Sequence, residues 1–148
     1  MPKTTSMIVP AMSFEELKAN FELFDDWEDR YRYLIDLGRK LPAFPDALKT
    51  ETNKVRGCMS QVWMVPGHAA EDASRFAFAA DSDAHIVKGL IAVLGTLFSG
   101  KTPAEIARTD TDAAFRAIGL DQHLSPSRRN GLVSMVEKIR IYAQALPR

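Results

Sequence analysis

The stretch Arg75-Phe76-Ala77-Phe78-Ala79, followed by Asp81-Ser82-Asp83 and then by Ile86, Val87, Leu90, Ile91, Val93, Leu94, Leu97 and Phe98, changes its period halfway. The first part alternates large and small, which puts Phe76 and Phe78 on one face of a strand. The second part is apolar nearly all round a helix, the pattern of an element in the middle of a domain. Gly89 and Gly95 interrupt that helix at about 1 kcal/mol each relative to Ala; close approach by another element would explain them.

Working outward, Val62-Trp63-Met64-Val65 reads as a partner strand ending at Pro66-Gly67, with a connection from 66 to 74 longer than a tight turn. A short third strand fits 53–55. Ahead of the hairpin, Ser13 with Glu16 predicts a capped helix through Phe14, Leu17, Phe21 and Phe24. Asp25 or Asp26 caps a second helix, with Trp27, Tyr31, Leu34, Ile35 and Leu37 as its apolar stripe, ended by Pro42 and Pro45. Both tryptophans read as core residues. Residues 41–57 read as a long connection with a helical piece at 46–48. Past Gly100, Thr102-Pro103 starts a short helix, Asp110 or Asp112 caps another closed by Gly119, and a last helix follows Ser125-Pro126-Ser127. The order helix, helix, hairpin, helices predicts an α+β domain with a small antiparallel sheet. The expected organisation is a flexible N-terminal tail over 1–12 and one domain over 13–148.

The chain has 148 residues, is 46% apolar, and carries 19 Lys plus Arg against 19 Asp plus Glu. The zero net charge argues against a nucleic-acid or anionic-membrane binder, which would normally show a basic excess. The longest apolar run, 89–98, is too short for a membrane span and the N-terminus lacks a signal-peptide shape, so a cytoplasmic location is expected.

One cysteine, Cys58, stands in Val55-Arg56-Gly57-Cys58-Met59-Ser60-Gln61-Val62-Trp63. A single thiol can form no internal disulfide and no multi-cysteine metal site. It is either a small buried hydrophobe or a group that works alone, as nucleophile or covalent carrier. Arg56 and Lys54 are cations near enough in sequence to favour thiolate. His68, His85 and His123 are scattered and form no metal-binding spacing. Asp81-Ser82-Asp83 reads first as a helix N-cap. Arg128 and Arg129 sit in the first turn of the last helix, where cations are disfavoured by about 0.3–1 kcal/mol. Either an ion pair or a function keeps them there.

Three ordered motifs carry a resemblance. Gly57-Cys58-Met59-Ser60-Gln61-Val62-Trp63, then Asp81-Ser82-Asp83-Ala84-His85-Ile86-Val87-Lys88-Gly89-Leu90, then His123-Leu124-Ser125-Pro126-Ser127-Arg128 with Asn130-Gly131-Leu132 resemble the SufE family of sulfur acceptors over about residues 14–146. The resemblance implies an α+β sandwich shared with IscU-type scaffolds, with a three-stranded antiparallel sheet against several helices. It implies a protein that takes persulfide sulfur from a PLP-dependent cysteine desulfurase of the SufS or CsdA kind, stimulates it, and delivers to an iron–sulfur scaffold of the SufBCD kind. By motif position Cys58 is the acceptor, while Asp81, Asp83 and Arg128 belong to the desulfurase-facing surface or its support. No cofactor or metal of its own is implied; the protein is a transfer partner rather than a stand-alone enzyme. The persulfide would need shielding, so Cys58 is expected under apolar cover on a loop that swings out on docking. Two other readings stay open: a cysteine enzyme, which needs a base at the sulfur, and a binding module that activates a desulfurase without carrying sulfur. A different biosynthetic recipient is a further alternative. A cluster scaffold, with three cysteines, is set aside.

Overall fold

The computed structural model describes residues 7–8, 12–58 and 60–146. Most of the expected tail therefore lies outside the described residues. Within it, Ile8 is buried and its N–H donates to the Phe78 carbonyl at 2.7 Å, so at this point the chain belongs to the core.

The elements run α1 (Phe14–Glu22), α2 (Trp27–Arg39), a 3-10 turn (Asp46–Leu48), β1 (Val62–Ala69), β2 (Asp72–Ser82), α3 (His85–Phe98), α4 (Pro103–Arg108), α5 (Thr111–Ala117), α6 (Leu120–His123) and α7 (Pro126–Gln144). Five helix starts are set by capping side chains, each accepting one of the otherwise unpaired N–H groups of a first turn. Ser13 accepts from Glu16, Asp26 from Asp29, Asp110 from Ala113 and Ser125 from Arg128, and Thr102 forms a reciprocal box with Glu105. α6 was not expected from the sequence; its four residues follow Gly119 and carry too little pattern to be seen.

The sheet is a two-stranded antiparallel hairpin. The third strand shrinks to one bridge, Lys54 opposite Trp63, supported by Val55 N–H to Val62 O (2.8 Å) and Met64 N–H to Asn53 O (2.9 Å). The connection is also shorter than expected. β1 continues through Pro66 and Gly67 to Ala69, leaving Ala70 and Glu71 as the turn. Proline is tolerated because Phe78, its cross-strand partner, aims its carbonyl away from β1 toward Ile8. The Pro66–Phe78 pair is thus a non-hydrogen-bonded one, and no ladder donor is missing.

α3 fills the centre, as its all-round apolar sequence predicts. Leu90, Ile91, Val93, Leu94 and Phe98 are buried against Phe76 and Phe78 of β2 and Leu34 of α2 in one core cluster. Burying each such side chain contributes about 1.5–3 kcal/mol. The helix glycines are explained by close approach. A Cβ on Gly89 would lie 2.3 Å from the Leu34 carbonyl oxygen, one on Gly38 would lie 2.7 Å from the Gly89 nitrogen, and one on Gly95 would meet Ile8 at 2.7 Å.

Neither tryptophan is fully buried: Trp27 packs against the edge of the core cluster, and Trp63 is not part of it. Both are half-buried. Trp27 stacks on His123 with ring centres 4.0 Å apart, beside the Tyr31 hydroxyl that donates to the His123 carbonyl. Trp63 lies beneath the Lys49 ammonium at 5.5 Å.

Candidate functional site

The loop carrying Cys58 runs from the Lys54 bridge to the start of β1 and lies on α7. Gly57 makes the bend with φ +88°, a left-handed conformation that favours glycine. The Cys58 side chain is half-buried; its sulfur faces the Gly131 carbonyl of α7 at 3.8 Å, a weak S–H donor contact. Gly131 has no side chain, and a Cβ there would stand 3.3 Å from the sulfur.

A cavity of about 260 Å³ opens beside Cys58. Its apolar wall is Val62 from β1, Val87 and Leu90 from α3, and Met135 from α7. Its polar rim is Ser60 with Ser125, Ser127 and Arg128 at the start of α7. Among the described lining residues there is no His, Asp or Glu, so no general base stands at the sulfur. Burial holds the thiol above its ordinary pKa, because removing water penalises the thiolate. The resting group is a protonated, sheltered thiol.

This corrects the expectation that Arg56 and Lys54 activate Cys58. Both cations pair with Glu51, Arg56 at 3.4 Å and Lys54 at 3.6 Å, and the Arg56 side chain is 77% exposed. Their charge is spent on a surface carboxylate in high dielectric, and desolvation decides the thiol.

Asp81 stands at the end of β2 between Lys49 (3.4 Å) and Lys88 (3.5 Å), with 16% of its side chain exposed. It ties the 3-10 turn, the hairpin and α3 together. Asp83 accepts the Gln61 N–H at 3.0 Å, and its own N–H donates to the Gln61 carbonyl at 3.3 Å. It latches the far end of the cysteine loop to the entry of α3. Neither acid caps that helix, contrary to the first reading of the motif. Its N-cap is Ala84, with no side-chain acceptor, and Ser82 Oγ takes the Ala84 N–H at 3.1 Å. Arg128 is exposed at the cavity rim, and among the described residues neither it nor Arg129 joins an ion pair. The structure thus gathers Cys58 and Arg128 around one cavity and sets Asp83, at the entry of α3, against the far end of the cysteine loop, while Asp81 braces the frame. His68, His85 and His123 line none of it.

Sequence reasoning missed the apolar wall and the role of Gly131. The signal for the glycine was present: it stands inside a helix-period stretch between Arg129 and Leu132, where a residue that weakens helix needs a reason.

Comparison with known proteins agrees with this architecture. A solution structure of a hypothetical protein from Thermus thermophilus superposes with a TM-score of 0.70, covering 93% of this chain and 96% of that one; at 18% identity the likeness concerns the fold. An uncharacterized SufE-like protein of Rhizobium meliloti (strain 1021) is 48% identical over 134 residues, 89% of this chain and 95% of the relative. Another from Rhizobium etli is 46% identical over 142 residues, 95% of this chain and 94% of the relative. The family model for SufE, the Fe–S metabolism associated domain, matches residues 15–143. The chain with the half-buried Cys58 thiol on α7 therefore belongs to the SufE family.

Proposed function

We propose that Cys58 accepts persulfide sulfur from a cysteine desulfurase and hands it to an iron–sulfur assembly scaffold. The observation that carries the reading is the setting of the only cysteine: a half-buried thiol beside a cavity of about 260 Å³, with an apolar wall and no base among the described lining residues. Such a thiol is poorly reactive at rest and becomes a nucleophile when the loop moves it into water or against a partner.

The transfer is thiol–disulfide exchange with sulfur as the moving group. The Cys58 thiolate attacks the outer sulfur of the desulfurase persulfide. The S–S bond there breaks, the desulfurase cysteine leaves as thiolate, and Cys58 carries the S–SH group. Returned to the cavity, that group meets Val62, Val87, Leu90 and Met135, and no second thiol in the chain can strip it. Arg128 at the rim and Asp83 on the loop latch are the residues we place at the docking face, with Asp81 as its support. The partners fit SufS- or CsdA-like desulfurases and a SufBCD-like scaffold. No helix among the described residues is long and apolar enough to cross a membrane.

Intact-protein mass spectrometry after incubation with desulfurase and cysteine tests this. The expected result is a reducible gain of one sulfur on the wild type and none on Cys58→Ser. Stimulated desulfurase turnover by Cys58→Ser equal to wild type, with no sulfur gain on either protein, would replace the carrier with an activating binding module.

A further inference from the structure

Two glycines let the cysteine loop lie flush on α7. One is Gly57 in the loop, whose Cβ, were it present, would come 2.6 Å from Ser134 Oγ. The other is Gly131 in the helix, where a Cβ would lie 3.3 Å from Cys58 Sγ, 3.7 Å from its Cβ and 3.9 Å from its Cα. Residues three apart on a helix share a face, so Gly131 and Ser134 form one seat. Carbon contacts settle near 3.5–4.0 Å, roughly the limit for any neighbour in this seat. A methyl group at 131 is therefore a few tenths of an ångström too close to the sulfur, and the side that can yield is the loop. The helix itself would prefer alanine at this interior position.

We infer that Gly131 is a positioning residue: by lacking a side chain it sets the depth at which the Cys58 sulfur rests on α7, and with it the reactivity of the thiol. Burial is the cause of the thiol's raised pKa, so a change of depth is readable in its titration. The consequence for transfer rests on the carrier reading above: a shallower sulfur would be loaded faster and lost faster to free thiols. The seat itself needs no desulfurase.

The test is the rate of alkylation of the full chain by iodoacetamide across pH, for wild type and Gly131→Ala. The variant is expected to react roughly three- to tenfold faster at neutral pH, with the midpoint of its pH profile moved down toward an ordinary thiol. A second measurement places Gly131→Ala in the Cys58→Ala background. With the sulfur gone, the methyl group has room, and Tm is expected to rise by about 2–4 °C from helix propensity. With Cys58 present the rise should vanish or reverse. If Gly131→Ala folds only when Cys58 is alanine, the inference stands. An unchanged pH midpoint together with the same Tm change in both backgrounds overturns it, as does loss of folding in both. Whether the wild type gains sulfur in the mass experiment is independent of each of these outcomes.

Discussion

Where α2 crosses α3, Gly38 and Gly89 bring backbone against backbone; where the cysteine loop crosses α7, Gly57 and Gly131 bring a loop against the atoms of Ser134 and Cys58. The two contacts use the same residue type for opposite ends. At the first, the absent Cβ of Gly89 would fall 2.3 Å from the Leu34 carbonyl oxygen and 2.7 Å from its carbon. Neither atom can be moved without moving α2. At the second, the facing atoms are side-chain tips: Ser134 Oγ at 2.6 Å from the absent Cβ of Gly57, and the Cys58 sulfur at 3.3 Å from that of Gly131, the sulfur held by one weak 3.8 Å contact and a latch at Asp83. The first contact fixes the frame that carries Val87 and Leu90 into the cavity. The second holds the Cys58 sulfur by side-chain atoms that can shift.

The largest effect should come from pressing on the frame. Gly89→Ala gains about 1 kcal/mol of helix propensity but overpacks a backbone carbonyl, an insertion that costs about 3 kcal/mol or more when nothing can give way. The net expectation is a loss of about 2–3 kcal/mol, read as a Tm lower by roughly 5–10 °C. Shortening Leu34 should not rescue it, because the blocking atoms are main chain. Rescue by Leu34→Ala would show that the helix crossing is as adaptable as the loop seat, and the contrast between the two regions would fail.

A smaller effect tests the latch. Asp83→Ala removes the acceptor of the Gln61 N–H, an exposed hydrogen bond worth about 0.5–1.5 kcal/mol. Because water can replace the acceptor, Tm should move by a few degrees at most. The loop should move more: alkylation of Cys58 is expected to rise roughly twofold or more, since access to the thiol governs its rate. Asp83→Asn keeps an acceptor oxygen and should restore most of the wild-type rate. If alanine and asparagine behave alike, the carboxylate's charge rather than its hydrogen bond holds the loop.

Much of the frame was legible because its signals are local. Ser13, Asp26, Asp110 and Thr102 cap the helices their spacing predicts, and the apolar run of α3 announces its burial. The hairpin's bounds were misread because Pro66 looks like a stop. Only the pairing, with the Phe78 carbonyl turned away from β1 to the Ile8 N–H, shows that the missing N–H of Pro66 is harmless. The site was half legible. Cys58 stood out by being alone, and the ordered motifs pointed to Asp81, Asp83 and Arg128. What the sequence hid was distance. That Arg56 and Lys54 spend themselves on Glu51, that Asp83 reaches back 22 residues to Gln61, and that Gly131 lies beneath a sulfur 73 residues away are tertiary facts with no local periodicity to announce them.

The smallest effect is electrostatic, and its sign separates a sheltered thiol from an activated one. Burial raises the pKa of Cys58 in the folded chain above its unfolded value of about 8.5. A group whose pKa is raised by folding binds its proton more tightly in the native state. Its contribution to stability is therefore fully present below the unfolded pKa and is lost as pH rises through the folded one. Unfolding free energy measured by denaturant titration should thus fall in the wild type as pH rises past the unfolded thiol's pKa toward the raised folded one, and the part due to the thiol should be missing in Cys58→Ser. The half-buried position keeps the difference small. An activated thiol, lowered by nearby cations as the sequence first suggested, would show the opposite slope: stability gained as pH rises through a native pKa below the unfolded one. A wild-type curve that climbs relative to Cys58→Ser would mean that Arg56 or Lys54 reaches the sulfur in solution, and that the loop, unlike the helix crossing, rests elsewhere than on α7.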